Sequence, residues 1–498
     1  MASFTLRAIL TGGTFTHSYG ISSFAVASFQ GELMLYSGSA TDAGLSAFHL
    51  EAGLAAALSS EITGTSASGT LGVADMEVTD IGGAPVITPA GRYDDAFSYL
   101  RLNMAGDFVD STTVPPIPQS TAALTDLEIL KIGTDTFMIA GRDNAAGLDV
   151  FSLTTSYGLS HVSSLVDDID TTLANVSDLV KFNNGTSHLL FATSSIEHGI
   201  TSMSIDSSGN LTVVDVIDGM KGYGIYQASR VATVEVGNKD FLIVGASGSN
   251  NLTVFEIGLD GDLIYRDMVW DSLDTRFRGV TALETISLGD RAFALVGGSD
   301  GGLSLFEIGT DGRLYFMTNV VDTAATTLAS VSAIKVVDVG GDLQVFVSGA
   351  TESGITQFSL DLGAIGSTLT PSGPSSTAIG SPGDDFLMGD DTRNSLWGMS
   401  GNDRIVDGAG IDSLFGGAGA DVFVFVADGM YDRIMDYQPG IDRIDLSDFD
   451  RLYSIASLQI VPTVYGARIE IGSDAILLET LSGQSLTAAD FSSTSFIF

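Results

Sequence analysis

Apolar and polar positions alternate along the first 366 residues in short runs that end in polar turns, the period-two pattern of half-buried strands. A glycine column shows how the runs are organised. Gly53, Gly106, Gly158, Gly209, Gly261, Gly312 and Gly363 follow one another at steps of 53, 52, 51, 52, 51 and 51 residues. Each sits in a turn between two alternating runs, as in TVFEIGLDGDLIYRDMV around Gly261, which predicts a hairpin. Upstream lie a short strand ending in small residues (LMLYSGSA, FMIAGRD, FLIVGAS, FALVGGS) and, before it, a third apolar run such as LASVSAIKVVDV. Seven copies of roughly 50 residues, each with three strands and a fourth after the glycine, predict an all-β chain that opens with a seven-bladed β-propeller. Closure of such a ring needs the last blade locked to the first, and FTLRAIL (Phe4 to Leu10) is expected to be an outer strand lent to blade seven.

The period then changes. GAIGSTLTPSGPSSTAIG (Gly363 to Gly380) is small, polar and Pro-containing and reads as a linker. The expected division is a propeller over 1–366, a linker over 367–379, a repeat segment over 380–450 and a C-terminal cap over 451–498. From Gly380 five nonapeptides run without a gap: GSPGDDFLM, GDDTRNSLW, GMSGNDRIV, DGAGIDSLF and GGAGADVFV. Their sixth positions are Asp385, Asn394, Asp403, Asp412 and Asp421, and their eighth are Leu387, Leu396, Ile405, Leu414 and Phe423. Glycine-rich hexads permit tight turns that aim backbone carbonyls inward. The following triplet forms a short strand whose apolar residue fills a core, and the sixth residue supplies a hard oxygen. Oxygen-only coordination selects Ca²⁺, so those five residues are the candidate ligands, with same-side partners 18 residues apart. Asn394 replaces an acid and Asp407 a leading glycine, which makes the Asn394 and Asp412 site the weakest expected.

These repeats resemble the hemolysin-type (RTX) calcium β-roll, and Gly416 to Asp450 resembles the end of that roll and the cap in serralysin-type secreted proteases. No zinc-binding H-E-x-x-H accompanies it. The propeller resembles lactonase-like and WD-type propellers in architecture only. The RTX resemblance implies export through type I secretion machinery of a Gram-negative bacterium, an uncleaved C-terminal signal (the cap ends in the apolar FSSTSFIF), and folding on external calcium.

Charge sharpens this picture. Asp and Glu number 61 against 21 Lys and Arg, a net charge of −40 that repels nucleic acid and anionic lipid and favours cations. There is no Cys, which excludes disulfides, thiolate zinc sites and a cysteine nucleophile. No apolar run reaches the length of a membrane span. Residues 381–450 hold 15 Asp and no Glu against four Arg, a cluster that repels itself without a cation.

In the propeller, turns between second and third strands should gather on one face. Arg92 and Arg142 follow the same Ala-Gly pair there, and Asp143, Glu197, His198, Asp300 and Glu352 occupy similar turns. Such a ring could bind a polar ligand, with two guanidinium groups clamping an anionic sugar, or hydrolyse one with Glu197 or His198 as general base. Gly297 to Gly301 fits G-x-S-x-G but in a strand-to-strand turn, the wrong context for a nucleophile elbow. Two functions are therefore expected. The first is a secreted calcium-binding protein whose propeller binds a polysaccharide or surface ligand in adhesion; the second is a secreted lactonase-like or polysaccharide-acting hydrolase or lyase with an RTX export segment.

Overall fold

The alternating runs form strands throughout. A computed structural model describes residues 2–498 apart from 65–68, 95–96, 115–122, 143–145, 450, 451 and 453. Residues 3–361 make one unit and residues from 362 onward a second. Among the described residues no helix is long and apolar enough to cross a membrane.

The first unit holds seven four-stranded antiparallel sheets, the seven blades. Blade five shows the scheme, with Ala228–Val236 innermost, then Lys239–Ala246, Asn251–Ile257 and Leu263–Trp270. Innermost strands of successive blades abut around the axis, and that of blade one abuts that of blade seven, so the ring is closed. The apolar core lies between blades, for example Phe241, Ile243 and Val254 of blade five with Ala294 and Phe306 of blade six. At the turns after the third strands, Gly106, Gly209, Gly261 and Gly312 take φ of 87°, 81°, 96° and 87°, a region that favours glycine. At the Gly158 turn Tyr157 takes that conformation instead, with φ 63°.

Ser3–Leu10 completes blade seven as its outer strand, antiparallel to Ile355–Asp361, with Ser3 opposite Asp361 and Leu10 opposite Ile355. This is the closure expected from FTLRAIL. Arg7 secures the lap by donating two bonds to Asp342 at 2.6 and 2.7 Å, and Asp342 also accepts from the backbone N–H of Gly53 in blade one at 3.0 Å. The strand that follows Gly363, Ile365–Leu369, therefore does not join blade seven, whose outer place is filled by Ser3–Leu10; it pairs with Asp384–Met388 in the second unit.

A second tie runs around the axis near the start of the innermost strands. Ser22, Thr125, Ser177, Ser229, Thr281 and Ser332 each donate a hydroxyl hydrogen bond to a backbone carbonyl of the next blade, at Val73, Val176, Ala228, Val280, Val331 and Ile21. Blade two carries Ala74 at this place. Between blades a D-x-x-x-T staple recurs: Oδ1 of Asp167, Asp271 and Asp322 accepts the hydroxyl of Thr171, Thr275 and Thr326 at 2.9, 2.8 and 2.8 Å. It also accepts the N–H of an apolar residue two further on, Leu173, Phe277 or Leu328.

The second unit is a parallel β-solenoid with a cap. One sheet runs Ile365–Leu369, Asp384–Met388, Arg404–Val406, Val422–Val424, Arg443–Asp445 and Phe496–Ile497. The other begins Thr377–Ile379, Ser395–Trp397, Ser413–Phe415 and Tyr431–Tyr437 and ends in the cap strands Asp474–Thr480, Gly466–Ile471 and Gln459–Pro462. The eighth positions Leu387, Leu396, Ile405, Leu414 and Phe423 are fully buried between the sheets, as the repeat predicts. The segment read as a linker is the opening coil of this solenoid: Thr368 pairs with Phe386, and Thr377 to Ile379 pair with Ser395 to Trp397. Small polar residues suit a solenoid turn as well as a tether, and the sequence does not separate the two.

Candidate functional site

The sixth positions of the nonapeptides are stacked and buried. One column holds Asp385, Asp403 and Asp421, the other Asn394 and Asp412. Within a column each side chain accepts the backbone N–H of the residue one coil earlier. Asp403 Oδ1 accepts from Asp385 at 2.8 Å, Asp421 Oδ1 from Asp403 at 2.9 Å, and Asp412 Oδ1 from Asn394 at 2.6 Å. The leading glycines are required here: a Cβ on Gly398 would strike Asp403 Oδ2, and one on Gly416 would strike Asp421 Oδ2. The glycines of the hexads also bring carbonyls close, since a Cβ on Gly419 would meet the carbonyl oxygen of Gly401 and one on Gly417 that of Met399.

The second carboxylate oxygens test whether a cation fits. Oδ2 of Asp403, Asp412 and Asp421 is buried and makes no hydrogen bond. An orphaned anionic oxygen is costly, and a hard cation would satisfy it. Burial, with repulsion from neighbouring carboxylates, pushes Asp403 up to about 7 and Asp412 and Asp421 up to about 6. Among the described residues no group of three His, Asp or Glu side chains is placed to hold a metal. The donors on offer are the orphaned carboxylate oxygens and the backbone carbonyls brought close by the glycines.

The remaining two sixth positions differ. Asp385 is fully engaged: its Oδ2 accepts the N–H of Ser381 at 2.6 Å, and its Oδ1 accepts the Ser381 hydroxyl at 2.8 Å and the N–H of Ser367 at 2.5 Å. Asn394 donates to Ser376 Oγ and Asp390 Oδ1, both at 3.1 Å, and accepts from the N–H of Asp390 at 2.8 Å. Both columns also run past the regular repeats. Asp432 Oδ1 accepts from Asp412 N–H at 2.8 Å and Asp442 Oδ1 from Asp421 N–H at 3.2 Å, at separations of 20 and 21 residues. Burial pushes both up to about 7. The signal for them is the triplet D-R-I, which stands at 403–405, 432–434 and 442–444. The glycine hexads that mark the repeats are missing before the later two.

In the propeller the turns between second and third strands do meet the inter-blade connections at one end. Most of the side chains singled out there brace that end. Glu197 accepts from the N–H of Ala174 at 2.8 Å, Glu352 from Ala329 at 2.9 Å and Asp300 from Arg278 at 3.2 Å. Asp42 and Asp94 do the same for Tyr19 and Leu71. Arg142 pairs with Asp149 at 2.7 Å. His198 accepts from Gln227 N–H through Nδ1 at 3.1 Å and lies against Tyr226, ring centres 4.0 Å apart. Asp143 lies outside the described residues. Arg92 lines the mouth of the axial cavity and makes no ion pair among the described residues. Ser299 of the G-x-S-x-G stretch donates to the Arg278 carbonyl at 2.9 Å in a strand-to-strand turn.

No curated protein sequence matches this chain. Similar solved structures include a protein from Lactobacillus plantarum, 17% identical over 62% of this chain and 86% of that one, with a TM-score of 0.46. They also include the periplasmic gluconolactonase of Pseudomonas aeruginosa, 12% identical over 65% and 97%, with a TM-score of 0.48. At these values the propeller assignment rests on this chain's own strand pairing. The family of RTX calcium-binding nonapeptide repeats, in four copies, matches residues 379–406 and 397–425. The C-terminal unit is therefore built on RTX calcium-binding repeats, appended to a seven-bladed propeller.

Proposed function

We propose that this chain is an extracellular, secreted protein in which calcium completes the fold of the C-terminal roll and the propeller serves as a binding module, in adhesion to a polysaccharide or other surface ligand. The observation that carries the calcium half is the set of buried oxygens without partners at Asp403, Asp412 and Asp421. Asp403, Asp412 and Asp421 are the side chains that would hold the ion, with Asp432 and Asp442 closing the lower ends of the two columns. Asp385 and Asn394 fix the upper end through hydrogen bonds of their own. Calcium, when bound, supplies positive charge and oxygen coordination. At a tenfold excess over its dissociation constant, each site would add about 1.4 kcal/mol to stability. The chain's own part is to present the carboxylates at fixed spacing on backbone N–H groups and to exclude water from them.

Recognition rather than hydrolysis at the propeller is supported by what its hydroxyls and acids already do. The axial hydroxyls are bonded to carbonyls of neighbouring blades, and the acids of the loop-bearing end are bonded to backbone amides. Arg92, at the cavity mouth, is the side chain left to meet an anionic ligand. Calorimetric titration of the chelator-treated protein with Ca²⁺, beside melting in EGTA and in millimolar Ca²⁺, tests the first half. Identical melting curves with no heat of binding would refute it. For the second half, an acidic-polysaccharide array read with the native chain and with Arg92→Ala should show binding that the variant loses.

A further inference from the structure

Outside the roll, one cluster of ionisable groups lies on the propeller axis. A cavity of about 510 Å³ lies there, walled by innermost strands of the blades. Just past the bulge of these strands, blades two, three and four place Asp75, Asp126 and Asp178 at one register, opposite Ala90, Gly141 and Thr193. Blade five puts Arg230 there, and blades six, seven and one have Ala282, Ala333 and Ser23. Asp126 stands between two acids on abutting strands, Asp75 on one side and Asp178 on the other, placed so that each pair can share a hydrogen bond when one member is protonated. Its Oδ2 accepts from Leu179 N–H at 2.8 Å, and Asp178 Oδ2 accepts from Val231 N–H at 2.7 Å, so each bond crosses to the next blade. Two carboxyl groups can hydrogen-bond only if one keeps its proton.

We propose that Asp75, Asp126 and Asp178 form a proton-sharing acid ladder across three blades, and that closure of the propeller ring responds to pH through it. The ladder spans the seam between blades two and three, where Ala74 interrupts the ring of hydroxyls. There the shared proton stands in for the missing hydroxyl bond.

Charged groups of both signs face the ladder. Arg230 faces Asp178, and Ser23 donates to Asp75 at 3.3 Å. In the next layer Glu77 and Glu128 share Lys181, whose Nζ is 2.7 Å from each, and burial pushes Glu128 well up as well. Lys335 pairs with Glu284 at 2.6 Å and its charge also acts on Asp75 and Glu77. Arg92 stands at the mouth. Burial pushes Asp126 well above the carboxylate range and Asp75 up to about 6, and the charges of neighbouring acids act in the same direction, against the lowering pull of Asp126 hydrogen bonding on Asp75. A group raised on folding stabilises the fold fully below the unfolded carboxylate range, near pH 4, and loses that contribution as pH rises through its folded value. Ring closure is therefore strengthened by acidification through neutrality.

The chain has two tryptophans, Trp270 on the outer strand of blade five and Trp397 in the roll, so Trp397→Phe leaves one reporter on the propeller of the full chain. Urea unfolding followed at Trp270 in saturating Ca²⁺, from about pH 5.5 to about pH 8, should show the unfolding constant rising about tenfold per pH unit for each proton retained. Asp126→Asn keeps the acceptor for Leu179 and provides a permanent donor, so it should remove about one proton's share of that slope. Equal slopes with and without the substitution would overturn the proposal. If the variant does not fold, infrared spectra of the parent protein in saturating Ca²⁺ decide. A carbonyl stretch of protonated carboxylic acid at neutral pH, lost reversibly on raising pH, supports the ladder, and its absence overturns it.

Discussion

Asp403 and Asn394 occupy the same place in the nonapeptide and have different work. Asp403 offers a buried oxygen with no partner, whereas Asn394 is tied on both sides to Ser376 and Asp390. Asp403→Ala should therefore weaken calcium affinity at least about tenfold and lower the calcium-loaded melting temperature of the roll by about 5 °C or more. Asn394→Ala should lower stability by about 1–3 kcal/mol in EGTA and in calcium alike, because what it loses is hydrogen bonds. Parallel titration and melting of the two variants separate these effects. On the propeller, Ala74→Ser should add the missing hydroxyl bond, directed at the Leu124 carbonyl, and stabilise the ring by about 0.5–1.5 kcal/mol in urea unfolding. The ligand spacing was legible in the sequence because glycine and aspartate recur in register. Asp432 and Asp442 were not, because their D-R-I triplets lack the hexads. Nor could sequence tell that Glu197, Asp300 and Glu352 hold amides of their own blades, since a turn carboxylate looks the same whether it faces a ligand or a backbone.

At the level of elements, the roll's columns tie its stability to both calcium and protons. Burial and like charge raise Asp403, Asp412, Asp421, Asp432 and Asp442 to between about 6 and 7. In EGTA these groups stabilise the roll most below about pH 4, and that contribution is lost as pH rises through their folded values. Melting followed at Trp397 should thus fall from acid to neutral pH in EGTA, and calcium should abolish or reverse the trend, because the ion binds the deprotonated form. A second expectation concerns the C-terminal stretch, read from sequence as an export signal. Leu486, Phe491 and Phe496 are buried in the core of the roll, and Phe496–Ile497 is a strand of its first sheet. Deleting residues from Ser482 onward should therefore prevent cooperative melting of the roll even in saturating calcium, whatever it does to export. Circular dichroism of the purified truncation checks this.

Across the whole chain, the two repeat periods foretold the two architectures, 51 to 53 residues for the blades and nine for the roll. The exact frontier escaped, because Gly363 continues the blade column although the last propeller strand ends at Asp361. A chain ending at residue 361 should fold as a complete propeller, with urea unfolding at Trp270 matching that of the full-length protein. A chain beginning at Gly12 should be far less stable, having lost the outer strand of blade seven and the Arg7 to Asp342 lap. That lap also sets an order of events. Ser3 and Asp361 are neighbours in one sheet, so the propeller strand that comes earliest in chain order is the last to find its place. Until the final blade exists, the leading strand is an unpaired edge, and the ring is an open arc whose end blades each expose a face. Bringing its ends together requires closing a loop of nearly the whole unit, the slowest kind of contact a folding chain makes. The propeller thus behaves as a clasp worn open through most of its assembly, and a chaperone or a channel that holds back Ser3–Leu10 would hold the entire ring unfastened.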